Sequence, residues 1–153
     1  MNLIVENAFL CGTDGLVQSG DQIWFHFQKY QWDLSCQEKN PGIGKHRRII
    51  ESRIKKGLPN TSDASLLSGT YHLGISPHIY SYYHLLTDLL PHLIDAPKNP
   101  VLVPEFMPRS FIQFLKQAKF EVKILPKRTV KVELLYIPEM DLSEWNSEKV
   151  KKI

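Results

Sequence analysis

From Ser65 onward the apolar pattern changes period repeatedly, and this constrains the fold more than any other feature of the chain. A short apolar run at 65–73 gives way to an amphipathic stretch, then to a run at 99–103, a 3.6-residue stripe from Pro108, and runs at 120–125 and 129–137. Strand, helix, strand, helix, strand, strand in close succession predicts βαβ units and a parallel sheet with helices packed on it, an α/β fold. The stripe after Pro108 is Phe111, Ile112, Phe114, Leu115 and Ala118. The run at 129–137 alternates as far as Glu133 and then becomes apolar, and Pro138 closes it.

Gly74-Ile75-Ser76-Pro77 reads as a tight turn into a helix, with Ser76 as N-cap and Pro77 in the first helical position. That helix is expected to run to about Leu90, where Pro91 kinks or ends it. In parallel sheets ligands settle at the carboxyl ends of strands, beside loops that lead into helices, so 74–76 is a candidate binding loop. Before residue 65 the pattern differs. Residues 3–11 read as a strand, Thr13-Asp14-Gly15 as a turn, and 16–17 and 22–27 as returning strands of a small antiparallel unit. Residues 45–56 look helical, with Gly57 as the stop and Pro59 beyond it.

A chain of 153 residues can bury one sizeable core, but it is too short for two full α/β domains. Its net charge of +3 is too small to argue for nucleic acid as a partner. Cys11 and Cys36 form neither a disulfide framework nor a Cys-x-x-Cys site, which suits a reducing, cytoplasmic setting. No signal peptide and no run of 18 apolar residues is visible in the sequence. The six cations between Lys45 and Lys56 suit an anionic partner such as bilayer headgroups, which predicts peripheral contact at the inner face of the membrane. A plain solvated helix face is the simpler explanation of the same residues.

Within the helix after Pro77, His84 and Asp88 lie one turn apart and share a face. A carboxylate beside an imidazole fixes its tautomer and raises its basicity, as a general base acting on a sugar hydroxyl requires. An ordinary surface His–Asp pair is the competing reading. Tyr80 lies one turn before His84, and His92 one turn after Asp88, beyond Pro91. His84, Asp88 and His92 also suggest zinc, but no fourth ligand is evident and no metal is expected. No Gly-x-Gly-x-x-Gly, P-loop or Gly-x-Ser-x-Gly motif occurs, which disfavours dinucleotide enzymes, P-loop enzymes and α/β-hydrolases.

The segment Ser81-Tyr82-Tyr83-His84-Leu85-Leu86-Thr87-Asp88-Leu89-Leu90-Pro91-His92-Leu93 resembles the signature helix of family 61 glycosyltransferases. That pattern is roughly Asn, two aromatics, His, Trp, Leu, any, Asp or Glu, any, Leu, Pro, Arg, Leu. Val101-Leu102-Val103-Pro104 and Leu135-Tyr136-Ile137-Pro138 are similar to strand-plus-Pro segments of the same family. Ser81, Leu85 and His92 depart from its Asn, Trp and Arg.

The resemblance implies a Rossmann-like parallel sheet with flanking helices, the N-terminal half of a GT-B-like fold. It divides the chain into a β-hairpin unit at 1–30, a variable basic helix and loop at 31–64, a Rossmann-like domain at 65–140, and the start of a linker helix at 141–153 that leads to a missing donor-binding half. By the same resemblance the chain is the acceptor-side region of an inverting enzyme of surface or capsular polysaccharide synthesis. Its partners are then a nucleotide-sugar donor, a glycan acceptor and a donor-binding half or subunit, with no further cofactor. His84 is implied as the base and Asp88 as its partner, with Tyr80, Ser81, His92 and Ser76 lining the substrate. A non-catalytic glycan- or partner-binding module that keeps the fold without the activity is the alternative.

Overall fold

The computed structural model describes residues 2–10, 16–25, 30–33, 48, 51–52, 55–57, 61–75, 85–94 and 98–138. They include one eight-stranded mixed sheet and two short helices, and residues 48, 51, 52 and 55 are helical as well. In chain order the elements are β1 (Asn2–Leu10), β2 (Val17–Ser19), β3 (Gln22–Phe25), β4 (Tyr30–Asp33), β5 (Ser65–Leu73), a π-helical turn (Leu85–Leu89) running into α1 (Leu90–Ile94), β6 (Val101–Pro104), α2 (Arg109–Gln117), β7 (Val122–Leu125) and β8 (Val130–Pro138). The strand order is β4-β3-β2-β1-β8-β5-β6-β7. Pairing is antiparallel from β4 through β1 to β8, and parallel among β8, β5, β6 and β7.

This overturns the expected Rossmann-like α/β fold, and with it the N-terminal half of a GT-B-like enzyme. The structure is mostly β. A Rossmann-like layer needs helices on both faces of a parallel sheet, whereas α1 has five residues and α2 nine. The alternation after Ser65 is real, but β8 does not simply extend a parallel sheet. It lies between β5 and the N-terminal β1, antiparallel to β1 from Asn2↔Pro138 to Leu10↔Val130. Local periodicity carries no information about which distant strand is the partner.

The sheet bends along one line through its three central strands. Between Leu67↔Val132 and Thr70↔Leu134, two residues of β5, Ser68 and Gly69, oppose the single Glu133 of β8. Such a bulge kinks its strand and increases local twist. On the other side of β8, Asn7 of β1 stands across from Glu133 in the register. Asn7 has φ 51° and Gly69 φ 104°, both left-handed. Glycine reaches that region without a steric penalty, and Asn tolerates it better than most residues. The polar groups freed at the bulge find partners: the Gly69 N–H donates to Glu133 Oε2 at 2.8 Å, and the Tyr71 hydroxyl donates to the Ser68 carbonyl at 3.0 Å. Nearby, the Ser19 hydroxyl donates to the Glu6 carbonyl at 2.9 Å.

Burial changes parity at this line. In β1 the buried residues are Val5 before it, and Ala8 and Leu10 after it; in β8 they are Val130 and Val132, then Leu135 and Ile137. Chain length requires the bend as well. The registers set Leu125 level with Ile75 but Val130 level with Ser65, about ten residues or roughly 33 Å apart along a flat sheet. The five residues from Leu125 to Val130 reach only about 17 Å. The sheet must therefore coil until the end of β7 approaches the start of β8.

Inside the coil lies one contiguous core. It includes Leu10, Leu73, Leu85, Leu89, Leu90, Leu102, Phe111, Leu115, Leu125 and Leu135. All four residues of β6 are buried. Beyond β5 the chain stays extended, and the Gly74 N–H donates to the Leu102 carbonyl at 2.8 Å. A Cβ at Gly74 would lie 2.6 Å from that carbonyl oxygen and 2.7 Å from Val101 Cγ1. Gly74 is thus demanded by the close approach of β6.

The end of α2 is a Schellman motif. The Phe120 N–H donates to the Leu115 carbonyl and the Lys119 N–H to the Lys116 carbonyl. The left-handed position, usually glycine, is Lys119 at φ 70°. Two substitutions test these backbone readings by urea unfolding. Gly74→Ala is expected to destabilise by about 1–3 kcal/mol, because the neighbouring backbone must move. Lys119→Gly is expected to stabilise by about 0.5–1 kcal/mol, since glycine meets no steric penalty there.

Candidate functional site

β5, β6, β7 and β8 run parallel, so their carboxyl ends share one edge of the sheet. The chain leaves β5 at that edge toward residues 76–84 and the helical segment, and leaves β6 there toward α2. The helical segment that begins at Leu85 therefore follows, along the chain, the edge where parallel sheets place ligands.

The helical segment is anchored by its leucines. Leu85, Leu89 and Leu90 are fully buried and Leu93 nearly so. Each contributes about 1.5–3 kcal/mol of apolar burial. Sequence spacing predicts a helix that kinks or ends at Pro91. Instead a π-helical turn, Leu85–Leu89, passes into α1, and Pro91 is the second residue of α1. Because the two are contiguous, Pro91 stands inside one helical segment, where its missing N–H leaves a helical hydrogen bond unmade. The π turn is the local irregularity that makes room for it, and such turns are frequent at functional positions.

Of the predicted site residues, Asp88 lies in the π-helical turn and His92 in α1, four residues on, so the backbone sets them one turn apart along one segment. His92 is half-buried. Ser76, Tyr80, Ser81 and His84 lie outside the described residues. Among the described residues, no group of three His, Cys, Asp or Glu is arranged to hold a metal ion. No described helix is long and apolar enough to cross a membrane.

One polar residue at this edge escaped the sequence reading. His72, near the carboxyl end of β5, is 3% exposed and is the one buried polar or charged residue among those described. Its ring lies 5.0 Å from that of Tyr136 on β8, tilted by 48°. In the sequence it stands between Tyr71 and Leu73 in a run that reads simply as a buried strand. Only the pairing of His72 with Tyr136 brings the two rings together.

Comparison with family models, with curated proteins and with solved structures finds no match.

Leu85 bears on the departure from the signature. A tryptophan is expected there by the family pattern, and the leucine is fully buried against the core. Leu85→Trp is expected to destabilise the protein by about 1–3 kcal/mol through overpacking, and Leu85→Ala by about 2–5 kcal/mol through the cavity it leaves. Both are measured by chemical denaturation. A neutral Leu85→Trp would show that the core around Leu85 has room for the larger side chain.

Proposed function

We propose that this chain supplies the acceptor-side region of an inverting glycosyltransferase that draws on a nucleotide-sugar donor, in surface or capsular polysaccharide synthesis. The signature segment from Ser81 to Leu93 carries the reading. Two structural observations support it. The helical segment follows the carboxyl edge of the parallel strands along the chain, and Leu85, Leu89, Leu90 and Leu93 anchor it in the core.

In this mechanism the imidazole of His84 accepts the proton of an acceptor hydroxyl. The hydroxyl oxygen attacks the anomeric carbon from the face opposite the nucleotide. The bond from that carbon to the nucleotide phosphate breaks with inversion, and the nucleoside diphosphate leaves with the bonding electron pair. Asp88 orients the imidazole and stabilises its protonated form. Tyr80, Ser81, His92 and Ser76 line the acceptor and phosphate side.

The mixed, mostly β sheet favours a second reading, a non-catalytic module that binds a glycan or a partner protein. Among the described residues the sheet carries only short helices, unlike the doubly covered sheet that forms the usual nucleotide crevice, and Leu85 fills a core position where the signature has tryptophan.

A transfer assay over a panel of nucleotide-sugars and oligosaccharide acceptors, paired with calorimetric titration, separates the two. For the enzyme, His84→Ala is expected to lower kcat/KM by about 100-fold or more. An unchanged rate in that variant rejects the base role. Turnover by this chain alone excludes the module, and glycan binding without turnover when the donor-binding half is also supplied assigns it.

A further inference from the structure

The stretch from Lys116 to Arg128 holds five cations, Lys116, Lys119, Lys123, Lys127 and Arg128, against one acid, Glu121. This local excess is larger than the net charge of +3 carried by the whole chain. All five cations are exposed. They follow one continuous path along the end of α2, the β7 strand that forms the edge of the sheet, and the link to β8. Between them in the sequence is Ile124, 46% exposed and one of three large hydrophobic residues left at the surface among those described; as the residue after Lys123 on β7 it faces the opposite side of the strand from that lysine.

We infer that this rim is a docking surface for an anionic membrane, with the cations set against lipid phosphates and Ile124 entering the headgroup layer. The inference is independent of the sugar-transfer reading and uses residues distinct from the basic stretch at 45–56.

Edge protection does not account for the pattern. A lysine on an edge strand blocks unwanted strand pairing, which explains Lys123. Its ammonium also donates to the Tyr71 hydroxyl at 3.4 Å and sits 5.4 Å from that ring. But Lys116, Lys119, Lys127 and Arg128 lie outside the strand, and an exposed isoleucine on the edge works against protection. Lys119 adds a separate observation. It holds the left-handed position of the Schellman motif at φ 70°, where glycine is the unstrained choice. Its charge meets the helix dipole favourably, but Lys116 in the last turn already fills that role. A side chain retained in a strained backbone conformation points to a use for the side chain.

The chemistry selects a membrane over other polyanions. Single-stranded nucleic acids are held on exposed aromatic platforms. The stretch has one aromatic, Phe120, which is half-buried and packed against the core. Exposed cations before and after an exposed aliphatic residue along the same edge of the fold match an interfacial surface, where charge attraction and apolar insertion act together.

Flotation of the protein with phosphatidylcholine vesicles, with and without phosphatidylserine, tests the inference. Binding is expected only with phosphatidylserine and is expected to weaken as salt is raised. Each cation removed near such a surface should weaken binding about 5-fold, the equivalent of about 1 kcal/mol. Lys119→Gly, which should leave the fold more stable, is therefore expected to bind about 5-fold more weakly. The combination of Lys116→Glu, Lys127→Glu and Arg128→Glu should weaken binding by about 100-fold or more. Ile124→Asn should lower affinity without changing the salt dependence. Equal binding to both vesicles, unchanged binding by the triple variant, or tighter binding to duplex DNA or an acidic polysaccharide than to vesicles at the same salt would overturn the inference.

Discussion

The bend along Asn7, Glu133 and Gly69 is the constraint on which the rest of the structure depends. Five residues cannot connect β7 to β8 across a flat sheet of this register, so the strands between them must coil. The bulge in β5 and the left-handed Asn7 in β1 let three neighbouring strands turn together rather than one alone. The Glu133 carboxylate takes the N–H that the bulge removes from the ladder, and the Tyr71 hydroxyl satisfies the carbonyl beside it. Without such partners the kink would leave backbone groups unpaired beside the core.

Coiling also arranges the functional surfaces. It keeps the carboxyl ends of β5 to β8 on one edge, with the leucine-anchored helical segment and α2 both leaving from it. It carries β7 to the open edge of the sheet, so the cations from Lys116 to Arg128 lie outside while Leu125 remains in the core.

Much of the element pattern was legible. Strands were expected at 3–11, 65–73, 99–103, 120–125 and 129–137, and strands stand at Asn2–Leu10, Ser65–Leu73, Val101–Pro104, Val122–Leu125 and Val130–Pro138. The stripe of α2 was legible too, because Phe111 and Leu115 recur at the spacing of a single helix face. Even the bend left a trace, since the run at 129–137 loses its alternation at Glu133, where burial changes parity. Of the candidate site, Asp88 and His92 fall in one helical segment, while His84, the partner expected for Asp88, lies outside the described residues. The π turn that admits Pro91 was not legible, because the simple 3.6-residue reading places a break there. His72 was hidden because a single histidine inside an apolar run gives no periodic signal.

The sequence by itself determined where the chain is extended or helical, and where it must turn. These choices depend on propensity and periodicity among residues a few positions apart. Tertiary structure alone decided that β8 lies between β1 and β5, making the sheet mixed rather than Rossmann-like, and that Lys119 takes a left-handed conformation at the close of α2. The reason is that strand partnership is chosen by the burial of whole strands against residues more than a hundred positions away, as Val5 against Leu135 and Leu10 against Val130. No local window of the sequence contains both members of such a pair.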